Sequence, residues 1–342
     1  MQYRPFGKLD WDVSAIGFGA WAIGGDMWGP QDDSESVRAL HTALDRGVNF
    51  IDTAQGYGDG HSETIIGRVL AERSGDEIYV ATKVPPRSGY GWPPPLDADA
   101  TDVFPSDYII EACEQSLRRL GREYLDVYQF HTWVPSFNRQ DEWKEAMAKL
   151  KQQGKVRAVG VSVPDTTPAK VIGSLVEGVV DSVQVIYNLF DRVPEWNLFP
   201  VCEHVGTAVI VRVPFDEGAL TGKFTEGTTF PEGDVRRHYF RGENLREVVR
   251  RVEEIRQFKD GRHPDMSLAE YALRFCLGHP AVSTVIPGMR NPRQAEMNTA
   301  AGDGEPLGEE ERDALRAFAW RKDFWNDEVE PADEVEPAEQ DT

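Results

Sequence analysis

The chain has 342 residues, of which 58 are acidic and 37 basic, so its formal net charge is −21. This negative charge disfavours nucleic acids and anionic membranes as partners, because both are also negatively charged. We find no run of about 18–20 apolar residues and no apolar signal segment near Met1, so we expect neither a membrane span nor secretion. The three cysteines are widely spaced, which predicts neither a disulfide framework nor a metal site and favours a reducing cytoplasm.

The pattern of predicted elements favours an α/β fold. Residues 1–14 predict a β-hairpin that turns near residues 8–10. Short apolar runs then predict eight strands, at 15–19, 48–52, 77–83, 125–131, 157–162, 182–186, 207–212 and 282–286. Amphipathic helices are predicted between them, at 34–46, from 62 onwards, and at 106–120, 142–152, 168–175, 196–205, 244–258 and 267–276.

Eight strands that alternate with helices over roughly 250 residues predict a (β/α)8 TIM barrel. A doubly wound open sheet is the alternative, but no Gly-x-Gly-x-x-Gly string follows a strand. Residues 1–325 are therefore interpreted as one barrel, and the acidic segment 326–342 as a disordered tail. Two long connections, 84–105 and 213–241, follow strands and should border the C-terminal mouth of the barrel.

Four polar residues end or closely follow three successive strands. Asp52 ends the second strand and Tyr57 lies in the loop after it, while Lys83 and His131 end the third and fourth. Each residue alone could be structural: His131 a satisfied core histidine, and Lys83 a member of an ion pair. Because parallel strand ends meet at one mouth, we expect all four side chains to lie together as the catalytic group.

The expected chemistry is proton transfer. An ammonium beside a phenol favours the phenolate, so we expect Lys83 to lower the pKa of Tyr57 and make it a general acid usable near neutral pH. Asp52 would keep Lys83 charged, and His131 would orient a carbonyl oxygen or relay a proton.

The sequence resembles the aldo-keto reductase family. The resemblance begins with Asp-Thr-Ala-x-x-Tyr-Gly at 52–58 and continues through Gly60, Ser62, Glu63 and Gly67. Lys83 and His131 match the other two catalytic positions of that family. Further matches are Gly-Lys-Val-Arg-Ala-Val-Gly-Val-Ser at 154–162, Gln-Val-Ile-Tyr-Asn at 184–188, Gly-x-Leu-Thr-Gly-Lys at 218–223, Val-Ile-Pro-Gly at 285–288, and Asn298.

That resemblance implies a (β/α)8 barrel that binds NADPH, rather than NADH, in an extended conformation. It implies that Ser162 and Gln184 hold the nicotinamide carboxamide and that the loop 212–223 wraps the pyrophosphate. The implied contacts in that loop are Gly218, Leu220, Gly222 and Lys223. Those around the adenosine 2′-phosphate and adenine are Gly288, Arg290, Gln294 and Asn298.

Three positions depart from the family pattern. Val163 stands where many members have Asn, which removes one carboxamide contact, and Met297 stands where Glu is frequent. Arg212 occupies the position of a ring that stacks on nicotinamide; a planar guanidinium can stack in its place. Arg290 and Arg293 remain as cationic partners for a 2′-phosphate.

The implied activity is reduction of a small aldehyde or ketone to an alcohol, with Tyr57 as the proton donor. Four aromatic residues after the first, third and fourth strands are expected to line the substrate pocket: Trp21, Tyr90, Trp92 and Trp133. The alternative function is a nicotinamide-binding regulatory subunit with little turnover. A metal-dependent barrel is disfavoured, because only Asp52 and His131 are metal-binding types at strand ends.

Overall fold

The computed structural model describes residues 1–25 and 27–325, so the predicted tail, 326–342, lies outside the described residues. Strands β1 (Tyr3–Pro5) and β2 (Asp12–Ser14) pair antiparallel and form the predicted N-terminal hairpin. The other eight strands form one parallel sheet in chain order: β3 (Phe18–Gly19), β4 (Phe50–Asp52), β5 (Tyr79–Val84), β6 (Leu125–Phe130), β7 (Val156–Ser162), β8 (Ser182–Ile186), β9 (Ala208–Arg212) and β10 (Val282–Val285).

The first and last strands of this sheet meet and close it. Gly17 N donates to Val285 O at 2.8 Å, and Gly19 N to Pro287 O at 3.1 Å. A Cβ atom at Gly19 would lie 2.5 Å from the Ile286 carbonyl oxygen, so this seam requires glycine. The predicted (β/α)8 barrel is thus confirmed, and the open-sheet alternative is wrong.

Thirteen α-helices occur in the described residues. They are α1 (Asp33–Asp45), α2 (His61–Glu72), α3 (Ala100–Val103), α4 (Ser106–Leu120), α5 (Glu142–Gln152), α6 (Ile172–Val176), α7 (Pro194–Asn197), α8 (Phe199–Val205), α9 (Arg236–Tyr239), α10 (Asn244–Asp260), α11 (Leu268–Leu277), α12 (Pro292–Ala300) and α13 (Glu309–Ala314). None is long and apolar enough to cross a lipid bilayer.

The helix predictions are accurate where the apolar period is regular. The predicted bounds of α4 and α5 match the structure, and those of α1 are shifted by one residue. The predicted helix at 196–205 is two helices, α7 and α8, because Pro200 has no N–H to continue the helical hydrogen bonding. The predicted helix at 168–175 begins as a 3₁₀ turn, Pro168–Val171, before α6.

The hairpin closes the N-terminal end of the barrel. Two hairpin side chains pack into this end of the barrel. The ring centroids of Phe6 and Phe50 lie 5.5 Å apart, and those of Trp11 and Tyr79 lie 5.2 Å apart. The Arg157 guanidinium lies 4.4 Å from the Trp11 ring. Because large aromatic side chains fill this end, polar chemistry belongs at the opposite mouth, where the strands end.

The packing of α2 on α4 generates a stability prediction. A Cβ atom at Gly67 would lie 2.3 Å from the Arg119 carbonyl oxygen, so the two helix backbones touch there. Gly67→Ala should therefore destabilise the fold by about 1–3 kcal/mol, measured by urea unfolding. Gly75→Ala is the control, because a Cβ atom there meets nothing within 4 Å. Equal stability of the two variants would contradict the assigned contact.

Candidate active site

A buried ion pair lies at the mouth between β4 and β5. Lys83 Nζ donates to Asp52 Oδ1 at 2.6 Å, to the Thr53 carbonyl oxygen at 2.9 Å and to Tyr57 Oη at 3.0 Å. The Lys83 and Asp52 side chains are 0% and 3% exposed, so water does not screen the pair. The structure therefore brings three of the four predicted catalytic residues into direct contact.

The second Asp52 oxygen is held by two amides. Gln184 Nε2 donates to Oδ2 at 2.6 Å and Gln129 Nε2 at 3.1 Å. Sequence reasoning missed Gln129, although it is a polar residue in the apolar strand β6 and pairs in register with Lys83. Both carboxylate oxygens thus accept hydrogen bonds, which holds the carboxylate in one orientation.

Lys83 is held in its charged form. Burial alone would lower the pKa of Lys83, but the Asp52 carboxylate and the Tyr57 oxygen raise it above its ordinary value. Lys83 therefore carries a full positive charge next to the Tyr57 hydroxyl at neutral pH.

The predicted pKa shift of Tyr57 is wrong in direction. Burial raises the pKa of Tyr57 by more than the Lys83 ammonium lowers it, and the Asp52 carboxylate adds to the rise. Tyr57 is consequently a protonated phenol at neutral pH. That state suits a proton donor.

His131 faces the Tyr57 ring edge-on, with ring centroids 5.6 Å apart. Burial, followed by the charges of Lys83 and Arg212, places the pKa of His131 well below its usual range. The imidazole is therefore neutral at pH 7. Within residues 1–25 and 27–325 its buried Nδ1 has no hydrogen-bond partner.

Two of the four predicted pocket aromatics lie beside this group. Trp21 stacks on Tyr57 at 6.1 Å, and Trp92 meets His131 edge-on at 4.6 Å. Trp28, which the sequence analysis missed, meets Trp21 edge-on at 5.1 Å. The sequence feature that could have indicated Trp28 is its position in a glycine-rich loop, seven residues after Trp21.

Tyr90 and Trp133 have other neighbours. Tyr90 is partly buried against the core, with the Arg87 guanidinium 5.8 Å from its ring. Trp133 is 0% exposed and packs against Phe130 and Trp143. The expectation that Trp133 lines the mouth is therefore corrected: its indole fills the core between strands and helices.

The residues predicted for the nicotinamide lie on three adjacent strands: Ser162 and Arg212 end β7 and β9, and Gln184 lies two residues before the end of β8. Ser162 and Gln184 are register partners. Arg212 Nη2 donates to Asp165 Oδ1 at 2.6 Å and to the Val163 carbonyl at 3.0 Å. Arg212 Nε is buried with no partner among the described residues, so this N–H is available to a polar ligand. These residues fit an amide-bearing cofactor ring.

The loop after β9 has an unusual backbone. Val213, Asp216 and Glu217 have φ angles of 54°, 48° and 54°, a left-handed region that non-glycine residues rarely adopt. Gly218 follows at 99° and Gly222 at 69°. Leu220 is fully buried, and Lys223 is exposed.

The residues predicted for the adenosine end converge between β10 and α12. Arg290 N donates to Gln294 Oε1 at 2.7 Å, and Asn298 Nδ2 to the Gly288 carbonyl at 3.2 Å. The Arg290 guanidinium donates to Gln31 Oε1 and to the carbonyls of Trp28 and Pro30, at 2.7–3.0 Å.

A polar cleft lies beside these residues. Arg290 and Gln294 line it together with Asp32, which precedes α1, and Glu35 of α1. A Cβ atom at Gly288 would meet nothing within 4 Å, so the backbone there is open to a ligand.

A protonated phenol beside a charged lysine and a neutral imidazole can deliver a proton to a carbonyl oxygen. On a (β/α)8 barrel, this places the chain in the class of NAD(P)H-dependent oxidoreductases. The family model of the aldo/keto reductases matches residues 15–319. The chain belongs to the aldo/keto reductase family, whose general reaction is carbonyl reduction.

Similar proteins support this assignment over nearly the whole chain. Aldo-keto reductase YhdN of Bacillus subtilis is 32% identical, with 86% of this chain and 87% of that protein covered. The NADH-specific methylglyoxal reductase of Escherichia coli is 31% identical, with 88% and 93% covered. The solved structure of the glycerol dehydrogenase AKR11B4 from Gluconobacter oxydans has a TM-score of 0.75 at 32% identity, with 93% and 94% covered.

The buried carboxylate of Glu217 generates a pH prediction. Burial, and next the Asp216 charge, raise the pKa of Glu217 to about 8, whereas an unfolded glutamate titrates near ~4.3. Between these values the folded state binds the extra proton, so wild-type stability should fall as pH rises from about 5 to about 8.

Glu217→Gln should lose less stability over the same range. Urea unfolding at pH 5, 6.5 and 8 checks this, with exposed Glu232→Gln as the control. Parallel pH profiles for wild type and Glu217→Gln would show that Glu217 titrates normally in the folded protein.

Proposed function

We propose that the protein reduces a small aldehyde or ketone to an alcohol with NADPH, and that Tyr57 is the general acid. The observation that supports this most directly is the 3.0 Å hydrogen bond from Lys83 Nζ to Tyr57 Oη, with Asp52 behind it. The alternative function, a regulatory subunit with little turnover, is distinguished by the turnover measurement below.

The proton path follows from the hydrogen bonds. Tyr57 Oη accepts from Lys83, so its own hydrogen is directed elsewhere, towards the mouth. As Tyr57 gives up that proton, the phenolate that forms is stabilised by the Lys83 charge at hydrogen-bond distance. Asp52 keeps Lys83 charged throughout, because burial would otherwise favour the neutral amine.

His131 positions the substrate in this proposal. Its imidazole is neutral, so it can donate one hydrogen bond to a carbonyl oxygen without adding charge. Trp21 and Trp92 flank Tyr57 and His131 and would contact the apolar part of the substrate.

Ser162, Gln184 and Arg212 would hold the nicotinamide, and the loop 213–223 would hold the pyrophosphate. When bound, the reduced nicotinamide supplies the hydride. Gln184 already donates to Asp52, so its amide links the cofactor site with the proton-donor site.

The preference for NADPH is assigned to Arg290. Three of the five N–H donors of its guanidinium contact Trp28, Pro30 and Gln31, which leaves two for a 2′-phosphate. Asp32 and Glu35 line the same cleft and oppose the phosphate charge, so the preference depends on Arg290. We place the enzyme in a reducing cytoplasm, consistent with three buried free cysteines.

Tyr57→Phe should abolish turnover and leave NADPH binding nearly intact, because only the transferable proton is lost. The expected loss of rate is about 100- to 10,000-fold. Absorbance of NADPH with a panel of aldehydes and ketones, including methylglyoxal, measures turnover, and fluorescence titration measures binding. A variant that keeps more than about a tenth of the rate would exclude Tyr57 as the acid. Wild-type binding without turnover on any carbonyl would favour the regulatory alternative.

Arg290→Ala should reduce the preference for NADPH over NADH. Loss of a charge-assisted contact costs about 1.5–3 kcal/mol, which corresponds to about 10- to 150-fold in relative affinity. Glu35→Gln is the opposing control and should increase the preference, because it removes a negative charge from the cleft. Binding constants for both cofactors check this. A wild type that prefers NADH would overturn the assignment.

A further inference from the structure

Five carboxylates line one cavity. Asp165, Asp191, Asp216 and Glu217 follow the ends of β7, β8 and β9, and Asp323 comes from the last described residues of the chain. Glu217 is buried and Asp191 is partly buried, and this loss of solvent raises the pKa of Asp191 to about 6 and that of Glu217 to about 8. The loop that we assign to the cofactor pyrophosphate therefore contains two adjacent acids, and Glu217 keeps its proton at neutral pH because burial and the neighbouring Asp216 charge both disfavour its ionisation.

Lys322 brings a positive charge to this cavity from the other end of the chain. Its Nζ donates to Asp216 Oδ1 at 2.5 Å, and its side chain is 7% exposed. Four rings surround the ammonium at 5.3–5.7 Å: Phe190, Tyr239, Trp320 and Phe324. An ammonium that is both paired and enclosed by aromatic rings loses little by leaving water.

The segment that carries Lys322 is attached at both ends. We call residues 320–325 the C-terminal strap. Trp320 N donates to the Phe190 carbonyl at 2.9 Å, and the Arg251 guanidinium lies 4.3 Å from the Trp320 ring. At the other end a His238 ring nitrogen contacts the Trp325 carbonyl at 3.3 Å. These contacts fix the position from which Lys322 reaches the loop.

Lys322 acts on the strained part of that loop. Asp216 and Glu217 are two consecutive non-glycine residues with left-handed φ angles, a backbone conformation that is unfavourable for side chains with a Cβ atom. Lys322 Nζ and Tyr239 Oη both donate to Asp216 Oδ1, at 2.5 and 3.2 Å. Without the Lys322 ammonium, the Asp216 carboxylate would be buried beside Glu217 without its ion-pair partner. The turn would also lose the Lys322–Asp216 contact, which helps to hold its left-handed backbone.

We propose that Lys322 is a positioning residue for the cofactor: through Asp216 it fixes the left-handed turn of the loop 213–223 and thereby slows cofactor release. This rests on the proposed function, since it assumes that the loop holds the cofactor pyrophosphate. Lys322 has no contact with Tyr57 or Lys83 in this assignment, so proton donation should not depend on it.

Lys322→Met tests the proposal, because Met keeps the apolar stem and removes the charge. We expect NADPH to dissociate about 10- to 100-fold faster, measured by stopped-flow fluorescence. The KM for NADPH should rise, while the single-turnover rate at saturating NADPH stays within about twofold. Lys322→Arg, which keeps the charge, should retain slow release. Lys144→Met is the matched control, because Lys144 also combines ion pairs, with Asp141 and Glu177, and an aromatic neighbour, Trp143, but does not contact the loop 213–223.

Hydrogen exchange of the protein without cofactor gives a second measurement that does not depend on binding. Amides of residues 213–223 should exchange faster in Lys322→Met than in Lys322→Arg and Lys144→Met, and those of β4 and β5 should not change. If Lys322→Met does not fold, Asp216→Asn replaces it and should show the same two effects. Unchanged release and unchanged exchange would overturn the role of Lys322. Wild-type protein that binds neither NADPH nor NADH would instead overturn the proposed function, whatever the exchange shows.

Discussion

The Asp52–Lys83 ion pair is the interaction on which the rest of the site depends. Burying two charges is unfavourable unless their remaining hydrogen-bonding groups are also satisfied. Here Lys83 also donates to Tyr57 and to the Thr53 carbonyl, and Asp52 accepts from Gln129 and Gln184. Four strands of the barrel thereby contribute to a single network, and the register of the sheet decides which side chains can take part.

In the proposed reaction, that network explains how Tyr57 would act as an acid. The charge of Lys83 does not shift Tyr57 to phenolate, because burial and the nearby Asp52 carboxylate oppose it. In the proposed reaction the lysine charge would instead stabilise the phenolate at the moment when the proton leaves. The protonation state of Tyr57 bears on the direction of the reaction. A protonated tyrosine is ready to donate in carbonyl reduction, whereas alcohol oxidation requires that proton to be removed first.

The barrel and the proximity of the proposed catalytic residues could be predicted because they depend on local patterns. Asp52, Lys83 and His131 each follow a short apolar run, and the ends of parallel strands meet at one mouth. The contacts of Gln184 and Gln129 with Asp52 could not be predicted, because they depend on distances across the barrel. The position of Trp133 was also predicted wrongly, because the sequence around a tryptophan does not show whether its indole packs in the core or at the mouth. Lys322 was missed because the cavity it enters lies far from it in sequence.

The seam between β3 and β10 has a consequence for the order of folding. Neighbouring strands elsewhere in the sheet are close in sequence, whereas Gly17 and Val285 join the two ends of the barrel. Closing this longest loop carries the largest entropy penalty, so the seam is expected to form late and to open early. Gly288 and Arg290 follow directly after it. A transient opening of the seam would therefore first disturb the cleft that we assign to the adenosine. Asp52 and Lys83 lie on strands that are paired on both sides and would stay in place.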